Sequence, residues 1–283
     1  MNWRISQGDV RFTVNEARRG RSLKPSTARN DLIVLQGAQN YCFANRKLTH
    51  VVKITKPQAS SPRPRMLSRD EAARLLAAAL GWDQHGRRYH KRINRHLARF
   101  LLIGLYSGTR SDRIRRLQWV ENMQGGWVDL EKCFLHRKAA TEPETKKRAP
   151  SVPMGDRLFQ HMRRWRRLTN RFVIECYSRP ITDSLGTAFE GACELAGLAL
   201  PPGDPNRVVP HVLRHSCVSW MLAEGKTPFQ VGKYVGMTAQ MVERVYGHVS
   251  DDQQRETANA VRRNIPGPVP HLSHITARKN VNR

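Results

Sequence analysis

Acidic side chains are scarce: 23 Asp and Glu stand against 49 Lys and Arg in 283 residues, a formal net charge of +26 at pH 7. An enzyme for small anions needs one cationic pocket. An excess of this size along a whole chain suits a polyanion that releases counterions on binding. Cysteine is sparse as well. Cys42, Cys133, Cys176, Cys193 and Cys217 are odd in number, far apart and without a CxxC pair, which excludes a zinc knuckle or a redox dithiol and leaves small buried hydrophobes. Long apolar runs are missing. The most apolar stretch, residues 100–106 within RFLLIGLY, falls far short of the about 18 residues that a bilayer span requires. The opening MNWRISQGDVRF has neither an apolar h-region nor a small-residue cleavage site, so a reducing, cytoplasmic setting without membrane contact is expected. Gly225-Lys226-Thr227 ends like a P-loop, but Trp220 stands where the first glycine belongs and no strand precedes it. His271 and His274 are spaced for a metal but sit in a Pro-rich tail with no third ligand. Neither a nucleotide nor a metal cofactor is therefore expected.

What is present is enough to fold. Hydrophobic residues make up 39% of the chain, which excludes full disorder. At about 150 residues per domain, the length suggests two domains. In residues 26–46, Leu32, Leu35, Ala38 and Cys42 recur at helical spacing, with Ser26 as the expected N-cap. This region is basic and small in core. KPQASSPRPR, residues 56–65, has no apolar period and reads as a linker. Ser68 and Glu71 then form a capping box ahead of an amphipathic face of Ala72, Leu75, Leu76 and Ala79, and a further apolar helix ends near Tyr106. Three short runs, 126–130, 133–137 and 151–154, read as a three-stranded antiparallel sheet. The rest, to Arg263, reads as helices. The fold class is mainly α with this one small sheet. The expected division is a short helical unit with its linker over 1–62, a main domain over 63–265 and a basic tail over 266–283.

Chemistry concentrates in Pro210-His211-Val212-Leu213-Arg214-His215-Ser216. On a helix, His211, Arg214 and His215 share one face. Upstream, Ser107-Gly108-Thr109-Arg110 is a glycine turn that ends an apolar helix. Downstream, Gly236-Met237 precedes Tyr246 in AQMVERVYGH. An Arg after a glycine turn, a Lys on a hairpin, HxxRH, a glycine-led position and a late Tyr, in that order over residues 67–249, resemble the tyrosine recombinase or phage integrase family. Residues 1–62 are similar only to part of that family's helical core-binding domain.

The resemblance implies DNA strand breakage and rejoining through a 3′-phosphotyrosyl intermediate. Its chemistry is sensible from first principles. A phosphodiester under attack develops charge on its non-bridging oxygens, which paired guanidinium donors from Arg110 and Arg214 match. A phenol of ordinary pKa about 10 is a weak nucleophile, so Tyr246 needs a base or a cationic setting, with His211 placed to take or share its proton. The family puts the leaving-group acid on the hairpin, here 141–150, where Lys146 is the candidate, Lys147 the second and Lys138 the outsider. The same lysines also suit a solvated turn on DNA phosphates. Two positions depart from the family. Met237 replaces a His or Trp and cannot donate to phosphate, a gap that His215 or His248 would have to fill. Arg113 replaces a usual acid, a role left to Asp112 or absent.

The resemblance further implies double-stranded DNA as partner, a homotetramer on DNA through exchange of a C-terminal helix (250–263, opened by the Ser250 and Gln253 capping box), accessory DNA-bending proteins, and a nucleoid-associated site of action in a bacterium or phage. A decayed integrase that binds DNA without cutting it is the alternative.

Overall fold

The computed structural model describes residues 2–6, 9–13, 25–58, 65–90, 93–143, 148–176, 179–181 and 185–247. Its contacts divide the chain into two compact units, Met1–Arg63 and Pro64–Arg283.

The first unit contains an antiparallel hairpin, β1 (Asn2–Ser6) and β2 (Asp9–Thr13), and one long helix, α1 (Pro25–Ala44). The hairpin is not anticipated by the sequence reading. The helix starts on Pro25, whose fixed φ and missing N–H suit a first turn, so Ser26 lies inside the helix rather than capping it. The expected inner stripe is mostly uncovered. Leu32 is buried, Cys42 is half-buried, and Leu35 and Ala38 are exposed. Within this unit the helix is held by a short extended segment. The Arg29 guanidinium donates to the Pro57 carbonyl at 2.6 Å and the Gln39 amide donates to the Val52 carbonyl at 2.7 Å.

The second unit opens with α2 (Arg69–Ala79), whose N-terminus is closed by the reciprocal Ser68 and Glu71 capping bonds. Its entry is pinned to a later helix, α7 (Pro210–Ala223). The Leu67 N–H donates to Ser216 Oγ at 2.8 Å and the Trp220 indole donates to the Leu67 carbonyl at 3.1 Å. Helix α3 (Arg95–Ser107) is the apolar centre, burying Leu97, Phe100, Leu101 and Ile103. It crosses α7 so closely that a Cβ on Gly104 would lie 2.9 Å from Leu213 Cδ1. Short α4 (Ser111–Arg115) follows.

The anticipated sheet is present as β3 (Trp127–Asp129), β4 (Phe134–His136) and β5 (Val152–Pro153), antiparallel in that order. Val128, Leu135 and Val152 pair across the three strands and are all buried, so one side-chain row faces the core, as the two-residue period of a strand requires. Helix α5 (Asp156–Arg166), a short ladder of β6 (Glu175–Cys176) and β7 (Arg179–Pro180), α6 (Gly186–Leu195), α8 (Pro228–Val235) and α9 (Ala239–Tyr246) complete the unit. The β6–β7 ladder falls in a region read from sequence as helical. A separate apolar cluster of Val218, Leu222, Val231, Val235, Val242 and Tyr246 ties α7, α8 and α9 together. The helix expected over 250–263 and the tail over 266–283 lie outside the described residues.

Candidate active site

Four of the five proposed catalytic residues lie in the described structure, on the ends of elements that the core holds rigid. Helix α3 ends on Gly108, left-handed at φ 63°, a conformation that costs a side chain but not glycine. The turn is closed internally: the Ser107 hydroxyl donates to the Ile103 carbonyl at 2.6 Å and lies 2.7 Å from Thr109 Oγ1. This turn delivers Arg110, half-buried and extended, to the start of α4, where its Nη1 donates to the Arg148 carbonyl at 2.7 Å.

Helix α7 begins with Pro210 in its first turn and carries His211, Arg214 and His215. Arg214 is 4% exposed. Its Nη1 donates to the Gly108 carbonyl at 2.7 Å, while Nη2 is buried with no hydrogen-bond partner among the described residues. A buried donor without a partner is expensive unless a ligand supplies an acceptor. His211 stands at the exposed mouth, its ring edge-on to His215 with centroids 4.8 Å apart. Tyr246, the last residue of α9, is 4% exposed, and its hydroxyl lies 2.6 Å from His215 Nδ1.

The electrostatics are one-sided. Burial, with Arg110 and Arg137 adding repulsion, lowers Arg214 to about 10, which leaves it charged at neutral pH. Burial and Arg113 lower Arg110. Desolvation, then His211 and Arg214, lower His215 to about 4, so its ring is neutral, and in the tautomer with the proton on Nε2 its Nδ1 accepts from the phenol. Desolvation, Arg214 and Arg110 also lower His211. Burial pushes the Tyr246 phenol up to about 12 against the pull of Arg214. The site therefore holds fixed guanidinium charges, neutral imidazoles and a neutral phenol, with one guanidinium nitrogen that has no acceptor among the described residues. Such an arrangement can receive an oxyanion beside a hydroxyl that an imidazole already contacts.

The sequence placed His211 to take or share the phenol's proton; in the structure the imidazole in hydrogen-bond contact with the phenol is that of His215. Asp112 does not stand in for the missing acid. Its described partners are Arg115 at 3.2 Å and Arg116 at 3.4 Å, its neighbours one helical turn away. Arg113 instead makes a two-pronged ion pair with Glu142. Lys146 and Lys147 lie outside the described residues, as does His248. The flanks of the lysine-bearing segment are visible and border the site through the Arg113–Glu142 pair and the Arg110 bond to Arg148. Lys138 is turned along the hairpin, its Nζ donating to the Glu142 carbonyl at 3.2 Å. Met237 is half-buried against the α7–α9 apolar cluster. The reading also missed Arg137, buried under the turn, where sequence shows only one more cation in a basic hairpin.

A mostly helical unit with one small antiparallel sheet, carrying this arginine, histidine and tyrosine set, has the architecture of a tyrosine recombinase catalytic domain. The chain belongs to the phage integrase family, whose sequence model matches residues 65–253. Among solved structures it is similar to the Tn1549 transposon integrase in complex with transposon right end DNA, at 16% identity and a TM-score of 0.62, covering 87% of this chain and 82% of that one. It is also similar to XerH recombinase bound to palindromic difH substrate, at 17% identity and 0.54 over 87% and 70%. XerA recombinase matches at 19% identity and 0.50 over 87% and 78%. No curated protein matches the chain.

Proposed function

We propose that this protein is a site-specific DNA recombinase that cuts and rejoins duplex DNA through Tyr246. The observation that carries the proposal is a buried Arg214 Nη2 without a partner among the described residues, on the same helix as a neutral imidazole that is hydrogen-bonded to the Tyr246 phenol. A scissile phosphate placed there takes its non-bridging oxygens to Arg214 and Arg110, and His211 adds an N–H at the mouth. The phenol oxygen attacks phosphorus, its proton passes to His215 Nδ1, and the bond from phosphorus to the 5′ oxygen breaks. Because burial holds the phenol pKa high, the proton leaves during the attack and not before it. The departing 5′ oxygen takes a proton from the hairpin lysine, Lys146 or Lys147. The hydroxyl of an incoming strand reverses the sequence. Each step exchanges one phosphoester for another, so the chemistry requires no nucleotide hydrolysis.

The partner is double-stranded DNA, supported by the +26 charge and by DNA complexes among similarly folded proteins. The unit 1–63 acts as a DNA clamp. The working form is a tetramer on DNA whose protomers exchange a segment C-terminal to Tyr246, with accessory bending proteins assisting. A second reading, a DNA-binding protein that no longer cuts, is favoured by Met237. One assay separates the two. The protein is incubated with a pool of nicked duplexes of randomised sequence, in which the cleaved end diffuses away, and SDS-stable adducts are recovered. Wild type gives adducts and Tyr246→Phe gives none. Absence of adducts from wild type that still shifts DNA in a gel overturns catalysis.

A further inference from the structure

Arg137 follows β4 and is 2% exposed, the largest fully buried side chain in the described structure. A guanidinium that deep is costly unless its donors are matched, and ordinarily a carboxylate shares the site. Among the described residues no carboxylate pairs with Arg137. Its acceptors are all neutral: Nε donates to Thr109 Oγ1 at 2.9 Å, Nη2 to the Ser107 carbonyl at 2.5 Å and Nη1 to the Tyr234 carbonyl at 2.6 Å. The Tyr234 ring centroid lies 5.5 Å from its Cζ. Burial lowers its pKa to about 10, so it remains charged at neutral pH, beside two other cations, Arg110 and Arg214. A hydrophobic side chain would fill the same space without the desolvation cost or the repulsion, so packing alone does not account for an arginine there.

The acceptors explain it. Ser107 and Thr109 flank Gly108, whose carbonyl orients Arg214, and the same turn leads directly into Arg110. Tyr234 belongs to the last turn of α8, where free carbonyls and the negative helix end favour a cation, and α8 leads through Gly236 to the tyrosine helix. We propose that Arg137 is a positioning residue: its planar three-donor fork fixes the Ser107–Thr109 turn against the end of α8, and thereby sets the two phosphate-binding guanidiniums in register with the tyrosine-bearing segment. This rests on the catalytic reading above.

The test compares wild type with Arg137→Met on pre-bound nicked DNA, using both a normal scissile phosphate and a methylphosphonate that lacks one charged non-bridging oxygen. On the phosphate, Arg137→Met is expected to cleave on the order of 100-fold more slowly, as for a misplaced catalytic group, with DNA affinity within about 3-fold, since other phosphate contacts hold the duplex. On the methylphosphonate, where the arginine pair has less charge to neutralise, the ratio of wild type to variant shrinks at least about 10-fold. Equal ratios on both substrates indicate a general folding defect and overturn the proposal, as does a variant that cleaves like wild type. If Arg137→Met does not fold, Arg137→Lys carries the same comparison, because an ammonium presents its donors from one point and not from a fork. A wild type that forms no adduct overturns the catalytic reading itself, and this proposal with it.

Discussion

Gly236 offers a severe test of how the site is assembled. It ends α8 at φ 76°, and a Cβ there would lie 2.6 Å from the Arg148 carbonyl oxygen and 2.7 Å from Pro150 Cδ. Neither obstacle is the free end of a flexible side chain. For Gly236→Ala the left-handed backbone costs about 1–2 kcal/mol and overpacking against backbone about 1–3 kcal/mol more. At about 2–4 °C per kcal/mol for a domain of this size, the melting temperature should fall by about 10 °C. Gly225→Ala is the control: its φ is 79°, yet nothing lies within 4 Å of the added Cβ. It incurs the backbone cost alone, a fall of about 4 °C. Scanning calorimetry of the two variants isolates the close approach. Function should follow, because the carbonyl displaced in Gly236→Ala is the one that accepts from Arg110. Adduct formation is expected on the order of 100-fold slower in this variant and unchanged in Gly225→Ala. Equal melting temperatures for the two variants would refute the packing of α8 against the hairpin, and with it this account of how Arg110 is held.

Other consequences are as direct. Arg214→Ala should reduce adduct formation at least about 100-fold while a gel shift shows DNA affinity within about 5-fold, since many other contacts position a duplex. Met237→His should leave cleavage intact or faster, because the side chain sits beside the apolar cluster and a histidine restores a donor; loss of cleavage in a folded variant would show that the pocket is misassigned. Stability should decline on the acid side. His215 is lowered to about 4, and His96, His136, His161 and His211 are lowered too, chiefly by desolvation, whereas unfolded histidine titrates near about 6.5. Between these values the unfolded chain binds more protons, so stability is full above about pH 6.5 and falls as pH drops toward 4. A melting temperature that is flat from pH 7.5 to 5 would contradict this.

The parts of the molecule that were legible in the sequence are those governed by local rules. The Ser68 and Glu71 capping box, the alternation that puts Val128, Leu135 and Val152 on one face, and the glycine turn before Arg110 all act within a few residues. The order of the catalytic boxes was legible because each carries its own short signature. What escaped depends on packing between distant segments. His215 and His211 share a helix face, and only the arrival of α9 decides that His215 meets the phenol. Arg137 looks like any hairpin cation until the turn after α3 and the end of α8 close over it. The expected stripe on α1 failed for the converse reason: an apolar period exists, but the described residues of its own unit supply little to cover it. Whether Asp112 would take the acidic role was left open by the sequence, because on a one-turn helix its nearest cations, Arg115 and Arg116, are local.

The account centres on a single bond, from phosphorus to the hydroxyl of Tyr246. Peptide mapping of an SDS-stable adduct, followed by determination of which DNA end it carries, addresses that bond directly. The account predicts one modified peptide, containing Tyr246 joined to a 3′ phosphate, with a free 5′ hydroxyl on the released strand. Attachment at any other residue, or to a 5′ phosphate, would contradict it.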